Sequence, residues 1–404
     1  MHRLRMLTAG ESHGRAITVI LSGIPAGLEI PQEILERELA RRRRLYGRSR
    51  RMKLESDAVT CEGGLRGGVT TGNPLALRIP NAEAEAWASL LDPWEGARGP
   101  AVTIPRPGHA DLAGAVKYAS RGEAGLLPAD MRDVQERASA RETVGKVVAG
   151  AVCKALLERL QVRIAGFVYR IGEASLSKRS LRKLLEARTP DDLPLAAINA
   201  SPLRVPEERV SEAAKQAVND ARQRGTTLGG GFAVQAFGVL PGIGSYSQGD
   251  ERLDACLAQA MMSIPAVKVV GFGAAQWLVA SDGSRFHDEI ILDGDALTHR
   301  SNRAGGIVAG VTNGMPMVVT AAVKPIPTQA RGLQTVDLGR GKATRARKQR
   351  SDVTAVPAAS VIAESMAALI LADVVLGEFG GSHIDDLVAR WEERRRQLSR
   401  MLAR

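Results

Sequence analysis

The chain has 404 residues, of which 44% are hydrophobic and 25% charged, and it carries a net charge of +11. This composition is that of an ordinary globular protein and excludes a disordered or a fibrous chain. No uninterrupted apolar run approaches the ~18 residues of a membrane span, because the best candidate, 367–376, contains Asp373. With no leader-like segment at the amino terminus and three cysteines that lack metal-ligand spacing, we expect a cytoplasmic protein without a membrane partner.

The first half of the chain is predicted to begin with a strand over 16–21, which ends at a turn rich in glycine and proline. Pro31 then starts a helix. Short strands are expected at 58–61 and 75–79, and the apolar spacing from Arg137 onward predicts a long helix.

The second half contains a charged surface excursion at 181–193, a strand at 229–240 and a helix at 254–262. Strands and turns rich in glycine fill 269–319, and a long helix is predicted over 357–376. These elements predict a mixed α and β chain with antiparallel sheets. There is no Gly-x-Gly-x-x-Gly after a strand, which argues against a Rossmann domain.

Arginine is the most unusual feature of the composition, since 44 of the 55 basic residues are arginines. Guanidinium groups bind phosphate and carboxylate in a bidentate manner, so the excess indicates nucleic acid or a small polyanionic ligand. Base composition of the genome is a third explanation, and composition alone does not separate the three. Aromatic residues make up only 3% of the chain, which leaves little material for stacking on bases and weakens the nucleic-acid reading.

Two of the six histidines, His13 and His109, lie in polar loops next to glycine, which permits close approach of a ligand to the backbone. We interpret both as functional and the other four as packing residues. Two minor alternatives use the same histidines. In the first, Ser12 and His13 would form a nucleophile and base, although no Gly-x-Ser-x-Gly elbow is present. In the second, His13, His109 and Asp352 would bind a metal, although no local ligand spacing supports it.

Several segments place cations beside hydroxyl groups or prolines. Arg41–Arg44, Arg48 and Arg51 surround a predicted helix end, where at most two of the four consecutive arginines can face one pocket. Residues 136–143 combine arginines and hydroxyls at a helix start, which attracts anions but is also a capping pattern. Two late segments, 324–328 and 350–352, add a stiff proline-containing loop and an Arg-Ser-Asp sequence. Together they predict an anionic substrate handled by histidine and aspartate.

This ordered set of motifs resembles the chorismate synthase family over nearly the whole chain. The segments that carry the resemblance are 10–14, 42–52, 106–111, 137–143, 312–314, 324–328 and 350–359. The resemblance implies an α+β fold, in which one domain over 1–404 forms a β-α-β sandwich with helices between two antiparallel sheets. It also implies a homotetramer that converts 5-enolpyruvylshikimate 3-phosphate to chorismate with reduced FMN (FMNH2) and without net redox change, NADPH being a candidate reductant.

The resemblance also implies roles for individual residues. The expected catalytic residues are His13, which protonates the departing phosphate, His109, which protonates or holds the reduced flavin, and Asp352, which assists proton removal. The substrate or NADP contacts fall on Arg42, Arg48, Arg51, Arg106 and Arg141. The FMN contacts fall on Arg137, Ala138, Ser139, Pro265, Ala266, Ala309, Lys324, Pro325, Ile326, Pro327, Thr328 and Arg350. No metal is expected.

The chain departs from the family pattern at a few positions. The family usually has two glycines where this chain has Ala309 and Gly310, and a methyl group at 309 would crowd the flavin or require a small backbone shift. Two rival interpretations are a family member that binds flavin without synthase activity and a basic nucleic-acid-binding protein. The second rival predicts affinity for any duplex that falls steeply with salt.

Overall fold

The computed structural model describes residues 3–48, 58–95, 99–118, 130–294, 296–347 and 352–402. Its helices are α1 (Gln32–Arg43), α2 (Ala84–Trp87), α3 (Asp111–Tyr118), α4 (Arg132–Arg137), α5 (Thr143–Arg159), α6 (Lys178–Leu185), α7 (Leu195–Ala200), α8 (Glu208–Arg224), α9 (Leu253–Met262), α10 (Ala275–Leu278), α11 (Gly283–Phe286), α12 (Val356–Phe379) and α13 (Ile384–Leu402). The strands are β1 (Arg5–Ala9), β2 (Ala16–Ser22), β3 (Thr60–Gly63), β4 (Leu65–Arg66), β5 (Val69–Thr70), β6 (Leu75–Pro80), β7 (Arg163–Ile171), β8 (Ala174–Ser175), β9 (Gly230–Phe237), β10 (Val267–Phe272), β11 (Ile290–Asp293), β12 (Ala296–His299), β13 (Ile307–Val308), β14 (Val311–Thr312), β15 (Met317–Val323), β16 (Gln334–Asp337) and β17 (Lys342–Arg345).

The first large sheet has the strand order β1-β2-β6-β3, and all its pairs are antiparallel. Ile17, Val19 and Leu21 of β2 alternate with less buried residues and point into the core. In the register of the sheet, Val19 lies opposite Leu77 of β6. One face of this sheet is therefore apolar and must be covered.

The second large sheet has the order β10-β15-β9-β7-β8 and is also antiparallel. Its central strands β9 and β15 are buried along nearly their whole length instead of at alternate residues. Such continuous burial shows that both faces of this sheet are covered.

Two helices, α5 and α12, fill the space between the sheets. The backbone of α5 approaches the first sheet at Gly145, where an added Cβ would lie 3.0 Å from a methyl carbon of Val19. It approaches α12 at Gly150, where a Cβ would lie 2.2 Å from the Cβ of Ser365. On its other side α12 packs against β7 and β9 of the second sheet. This layering confirms the predicted α+β sandwich with helices between two antiparallel sheets.

Among the described helices, Val356–Phe379 is long and apolar enough to cross a membrane by length and composition. The sequence expectation that no uninterrupted apolar run approaches this length rested on Asp373, which lies within the run 367–376. In the fold, 83% of the apolar window is buried inside the protein, as for the core helix of a soluble protein.

Two sequence predictions of local structure are wrong. The helix predicted to begin near Arg137 begins instead at Thr143. The helical conformation is interrupted at Ser139, whose side chain accepts a hydrogen bond from the backbone N–H of Arg141. The predicted surface excursion at 181–193 contains the end of α6, which buries three leucines on one face. The structure also adds α8 and α13, which the sequence analysis did not predict.

Candidate active site

His13 lies in the loop between β1 and β2 and is fixed by Glu136 of α4. The carboxylate accepts hydrogen bonds from the backbone N–H of His13 and from ring Nδ1, each at 2.7 Å. Asn81 holds the same loop, since its Nδ2 donates to the carbonyl oxygens of Ser12 and Gly14. A carboxylate at Nδ1 favours a proton there, which leaves Nε2 as the nitrogen that exchanges protons with a ligand.

Trp87, at the end of α2, stacks on the imidazole of His13. The two ring centroids are 4.1 Å apart and the planes meet at 26°. Together with Glu136 the indole restricts both the tilt and the rotation of the ring. The sequence analysis missed Trp87, because nothing in the surrounding segment 84–91 resembles a functional motif.

The segment Arg137–Ser139, predicted to contact FMN, follows α4 and lies beside the same loop. The exposed guanidinium of Arg137 donates to the hydroxyl of Thr8 at 2.8 Å and to the carbonyl of Gly10. The hydroxyl of Ser139 donates to the hydroxyl of Ser12 at 2.9 Å. Ala138 between them is exposed. A cation and hydroxyl groups therefore lie next to His13.

His109 precedes α3 and is bound to Asp111, which is fully buried. Asp111 accepts hydrogen bonds from ring Nδ1 of His109 at 2.6 Å and from Nε and Nη2 of Arg106 at 2.8 and 3.0 Å. Burial opposes ionisation of Asp111, but the hydrogen bonds from His109 and Arg106 outweigh it and lower the pKa of this carboxyl. An ionised carboxylate thus holds Nδ1 of His109, just as the carboxylate of Glu136 holds Nδ1 of His13; we call both carboxylate-backed histidines.

Consecutive residues of α4 connect the two histidines. Gln135 donates from Nε2 to Asp111 at 3.2 Å, and the next residue, Glu136, accepts from His13. The sequence analysis considered Glu136 only as part of a helix-capping pattern and did not identify Gln135. Because one short helix supports both histidine–carboxylate pairs, a displacement of α4 moves both rings.

The predicted flavin loop Lys324–Thr328 packs against the loop of His109. Lys324 donates from Nζ to the carbonyl oxygen of Gly108, and its backbone N–H donates to Ala266, which follows Pro265 in the turn after α9. At the other end of the loop, Nη1 of Arg106 is 3.4 Å from the hydroxyl of Thr328. The prolines at 325 and 327 limit the conformations of the loop.

Asp352 forms an ion pair with Arg48, in which Nε and Oδ2 are 3.2 Å apart and both side chains are largely buried. The adjacent backbone fixes this pair, since Val353 donates to the carbonyl of Gly47 and accepts from Leu228. A predicted catalytic carboxylate is therefore the partner of a predicted substrate arginine. Arg51 and Arg350 lie outside the described residues.

Arg42 and Arg141 are buried beneath the candidate site. Arg42, only 2% exposed, donates to the hydroxyl of Thr143 and the carbonyl of Ala140 at the start of α5. Arg141 donates to the carbonyl of Pro80 at the end of β6. These contacts join α1, the first sheet and α5 behind the histidine loop.

Ala309 lies apart from the other predicted flavin contacts. It forms, with Gly310, the two-residue turn between β13 and β14, and both residues have positive φ, +52° and +87°. The carbonyl of Gly310 binds the backbone N–H of Leu253, the first residue of α9, whereas Ala266 follows the end of that helix. A helix of this length separates the two positions by about 15 Å.

No group of three or more His, Cys, Asp or Glu side chains that could hold a metal ion occurs within the described ranges. The candidate site instead combines two imidazoles, each with a carboxylate at Nδ1, with guanidinium and ammonium groups. Imidazoles held in this way suit proton transfer, and the cations suit an anionic small molecule. The fold and the site thus define an enzyme that moves protons on an anionic substrate.

Comparisons with known proteins give the family. The family model described as chorismate synthase matches residues 4–376. A chorismate synthase of Aquifex aeolicus is 43% identical over 396 residues, covering 96% of this chain and 97% of that protein. A chorismate synthase of Desulforudis audaxviator is 45% identical over 407 residues, covering 99% and 98%. A solved crystal structure of chorismate synthase superposes with a TM-score of 0.79 at 35% identity, covering 99% of both chains. The chain belongs to the chorismate synthase family.

Proposed function

We propose that this protein is a chorismate synthase of aromatic amino-acid biosynthesis, a carbon–oxygen lyase that eliminates phosphate from 5-enolpyruvylshikimate 3-phosphate. The observation that carries the proposal is the pair of carboxylate-backed histidines supported by Gln135 and Glu136. Membership of the family over residues 4–376 supports the same activity. The two rivals, a flavin-binding relative without synthase activity and a nucleic-acid-binding protein, have no comparable support.

A 1,4-anti elimination removes the hydrogen and the phosphate from opposite faces of the ring. The group that protonates the phosphate and the group that receives the ring proton must therefore lie on different sides of the substrate. His13, the proposed donor to the phosphate, lies in the loop between β1 and β2, whereas Asp352, the proposed group that assists removal of the ring proton, lies just before α12 and is paired with Arg48. A proton donor and a proton acceptor on separate elements suit this stereochemistry.

His13 is the proposed proton donor to the departing phosphate. Its Nδ1 is held by Glu136, which fixes the orientation of the ring and leaves Nε2 for the ligand. Trp87 fixes the plane of the ring from one side. Asp352 is the proposed group that assists proton removal, and Arg48 holds its carboxylate in place.

Recognition of a substrate with one phosphate and two carboxylates requires several cations. Of the predicted set, Arg48 and Arg106 lie directly beside the proposed proton-transfer residues Asp352 and His109. The buried Arg42 acts from beneath by fixing the start of α5. Arg141 has a similar supporting position, and Arg51 remains a proposed contact outside the described residues.

Reduced FMN is the proposed cofactor, and the residues present fit a phosphate-bearing group. Arg137 supplies an exposed guanidinium, and Lys324 and Thr328 supply an ammonium and a hydroxyl close to His109. When bound, reduced FMN would provide transient electron donation to the substrate without net redox change. His109 holds or protonates the cofactor through Nε2. Ala309 and Arg350 complete the proposed contact set.

The remaining parts of the proposal concern the setting of the enzyme. We place it in the cytoplasm as a homotetramer whose chains are each a single domain over 1–404, with no nucleic-acid or membrane partner. NADPH is a candidate reductant of the flavin, with Arg42 and Arg48 as its proposed contacts. An arginine pair serves the phosphate of a nucleotide and that of the substrate equally well, so the assay below decides between NADPH and an external reductase.

An anaerobic assay tests the activity. The protein is mixed with 5-enolpyruvylshikimate 3-phosphate and FMN, and chorismate is followed by its absorbance with either dithionite or NADPH as reductant. We expect product with dithionite; product with dithionite only would establish a monofunctional synthase, and product with both reductants would show intrinsic flavin reductase activity. Flavin binding without product under both conditions would support the inactive relative instead. Retention on duplex DNA that weakens steeply with salt, without product, would support the nucleic-acid binder.

A further inference from the structure

A cluster of buried charges lies between α1, α5 and α12, away from the histidine site. Its centre is Glu364 of α12, which has no exposed surface and accepts hydrogen bonds from Arg41, Lys154 and Arg204. The second carboxylate is Glu38, which accepts from Arg41 at 2.7 Å and from Lys154 at 2.6 Å. All five side chains are buried or nearly so.

With the exposed Arg37, which pairs with Glu38 at 3.5 Å, and the exposed Glu158, which lines the same cavity, this region contains four cations and three carboxylates and so has one excess positive charge. Burial opposes ionisation of Glu364, but the surrounding cations outweigh it and lower the pKa of this carboxyl. Burial lowers the pKa of Arg204, and the nearby Arg41 lowers it further, against the opposite effect of the carboxylates. An excess charge in a low-dielectric interior is costly unless an anion compensates it.

A cavity of about 190 Å³ adjoins the cluster and is several times larger than the ~30 Å³ that one water occupies in the liquid. Arg204 lines it, and Nη1 of this residue has no hydrogen-bond partner in the part of the chain that the structure describes, although Nε and Nη2 are used. The lining also includes the apolar side chains of Ile164, Leu195 and Ile198. The cavity therefore combines a guanidinium that has a spare donor with an apolar part of its lining.

Two backbone positions beside the cavity, Arg204 and Gly166, hold conformations or contacts that restrict substitution. Arg204 has a φ of +59°, a left-handed conformation that a non-glycine residue keeps only where the surroundings impose it. At Gly166 an added Cβ would lie 3.1 Å from Oε1 of Glu364, so a side chain there would disturb the carboxylate. Strained positions of this kind concentrate at ligand sites.

The cavity is distinct from the candidate active site. Arg41 and Arg42 are consecutive in α1 but point to different places, Arg41 to Glu364 and Arg42 to Thr143. Thr143 and Lys154 lie eleven positions apart on α5, which corresponds to about 16 Å along the helix.

We propose that this cavity is a second binding site, which takes a small organic monoanion with an apolar body. The carboxylate of the ligand binds Arg204 and neutralises the excess charge, while its body packs against Ile164, Leu195 and Ile198. A single negative charge matches the single excess charge of the cluster. A phosphate dianion would overcompensate it and would leave the apolar wall uncovered.

Benzoate is the probe, and its binding to the full-length protein is measured by titration calorimetry. Benzyl alcohol, which has the same ring but no charge, is the matched neutral ligand. Asn199→Trp is the blocking variant, because Asn199 is an exposed residue of the lining and its replacement narrows the cavity without touching the buried ions. Arg37→Gln removes an exposed cation of the lining, and Arg179→Gln removes an exposed arginine outside it.

We expect saturable binding of benzoate to the wild type and to Arg179→Gln, about tenfold weaker binding to Asn199→Trp, and about threefold weaker binding to Arg37→Gln, in line with loss of a well-packed contact and of a partly exposed charge. Benzyl alcohol should bind at least tenfold more weakly than benzoate. No saturable binding of benzoate, or equal affinity in the wild type and Asn199→Trp, would overturn the proposal. Equal affinity for benzoate and benzyl alcohol would overturn it as well.

Discussion

The carboxylate of Glu136 accepts hydrogen bonds from both the backbone N–H and the ring Nδ1 of His13, each at 2.7 Å. The loop and the imidazole are therefore positioned by one side chain. A group that holds a proton-transfer histidine in this way acts on the orientation and charge of the ring and does not itself contact the substrate.

Replacing Glu136 by glutamine should lower kcat about 100-fold, because the amide no longer fixes the orientation and tautomer of the His13 ring as the carboxylate does. The change keeps the size of the side chain, so KM should change much less than kcat. Steady-state assays with dithionite-reduced flavin measure both. Glu142→Gln is the matched control, since Glu142 lies close in sequence but pairs with Lys146. Equal losses of kcat in both variants would contradict the assigned role.

Trp87→Leu should lower kcat about tenfold, since the stacked indole no longer fixes the plane of His13, whereas Trp87→Phe retains a flat ring and most of the activity. The comparison of kcat with KM separates positioning from substrate binding. If the phenylalanine variant loses as much activity as the leucine variant while thermal stability is unchanged, then stacking on His13 is not what supports kcat.

Asp111→Asn should destabilise the protein by about 3 kcal/mol at pH 7, because Arg106 loses its buried counter-ion. The native pKa of Asp111 is lowered, so its contribution to stability is fully present above the unfolded pKa of about 3.9 and is lost as the pH falls toward the native value. The stability difference between wild type and variant should therefore shrink below about pH 4. Urea unfolding at several pH values measures it, and a difference that does not change with pH would contradict the ion-pair account.

Ala309→Gly should stabilise the protein by about 0.5–1 kcal/mol. The left-handed conformation costs alanine about 1–2 kcal/mol in the folded state, and glycine avoids this cost. Part of the gain is offset because glycine has more conformational freedom to lose when the chain folds. Ala213→Gly in the exposed face of α8 is the matched control and should destabilise by about 1 kcal/mol. Thermal unfolding of both variants provides the measurement. Destabilisation by the glycine at 309 would show that the turn is not strained by its alanine.

The sequence predicted individual elements of the fold well where one periodic signal was sufficient, whereas the layers were implied by the family resemblance. The strand at 16–21 and the helix at 357–376 are β2 and α12, because their apolar residues face the core of the sandwich. The helix start at 143 was misplaced, since Ser139 ends one helical segment and caps the next within a pattern that reads as continuous. α6 was missed because its three leucines lie among charged residues that dominate the composition of the segment.

The sequence predicted the motifs of the candidate site but not which of their side chains contact one another. His109 and Asp111 are two residues apart in one loop, so their contact follows from local sequence. The contacts of Glu136 with His13 and of Trp87 with His13 join segments separated by more than seventy residues. Such contacts depend on the placement of α4 and α2 beside the loop between β1 and β2, which no local pattern encodes.

The most direct test of the account compares His13→Ala and His109→Ala with the wild type in single-turnover reactions of the reduced, flavin-loaded enzyme. If the two carboxylate-backed histidines transfer protons, each variant should retain flavin binding within a few-fold and lose about 100-fold or more in the rate of chorismate formation. Wild-type rates in either variant, with flavin bound, would contradict the central claim.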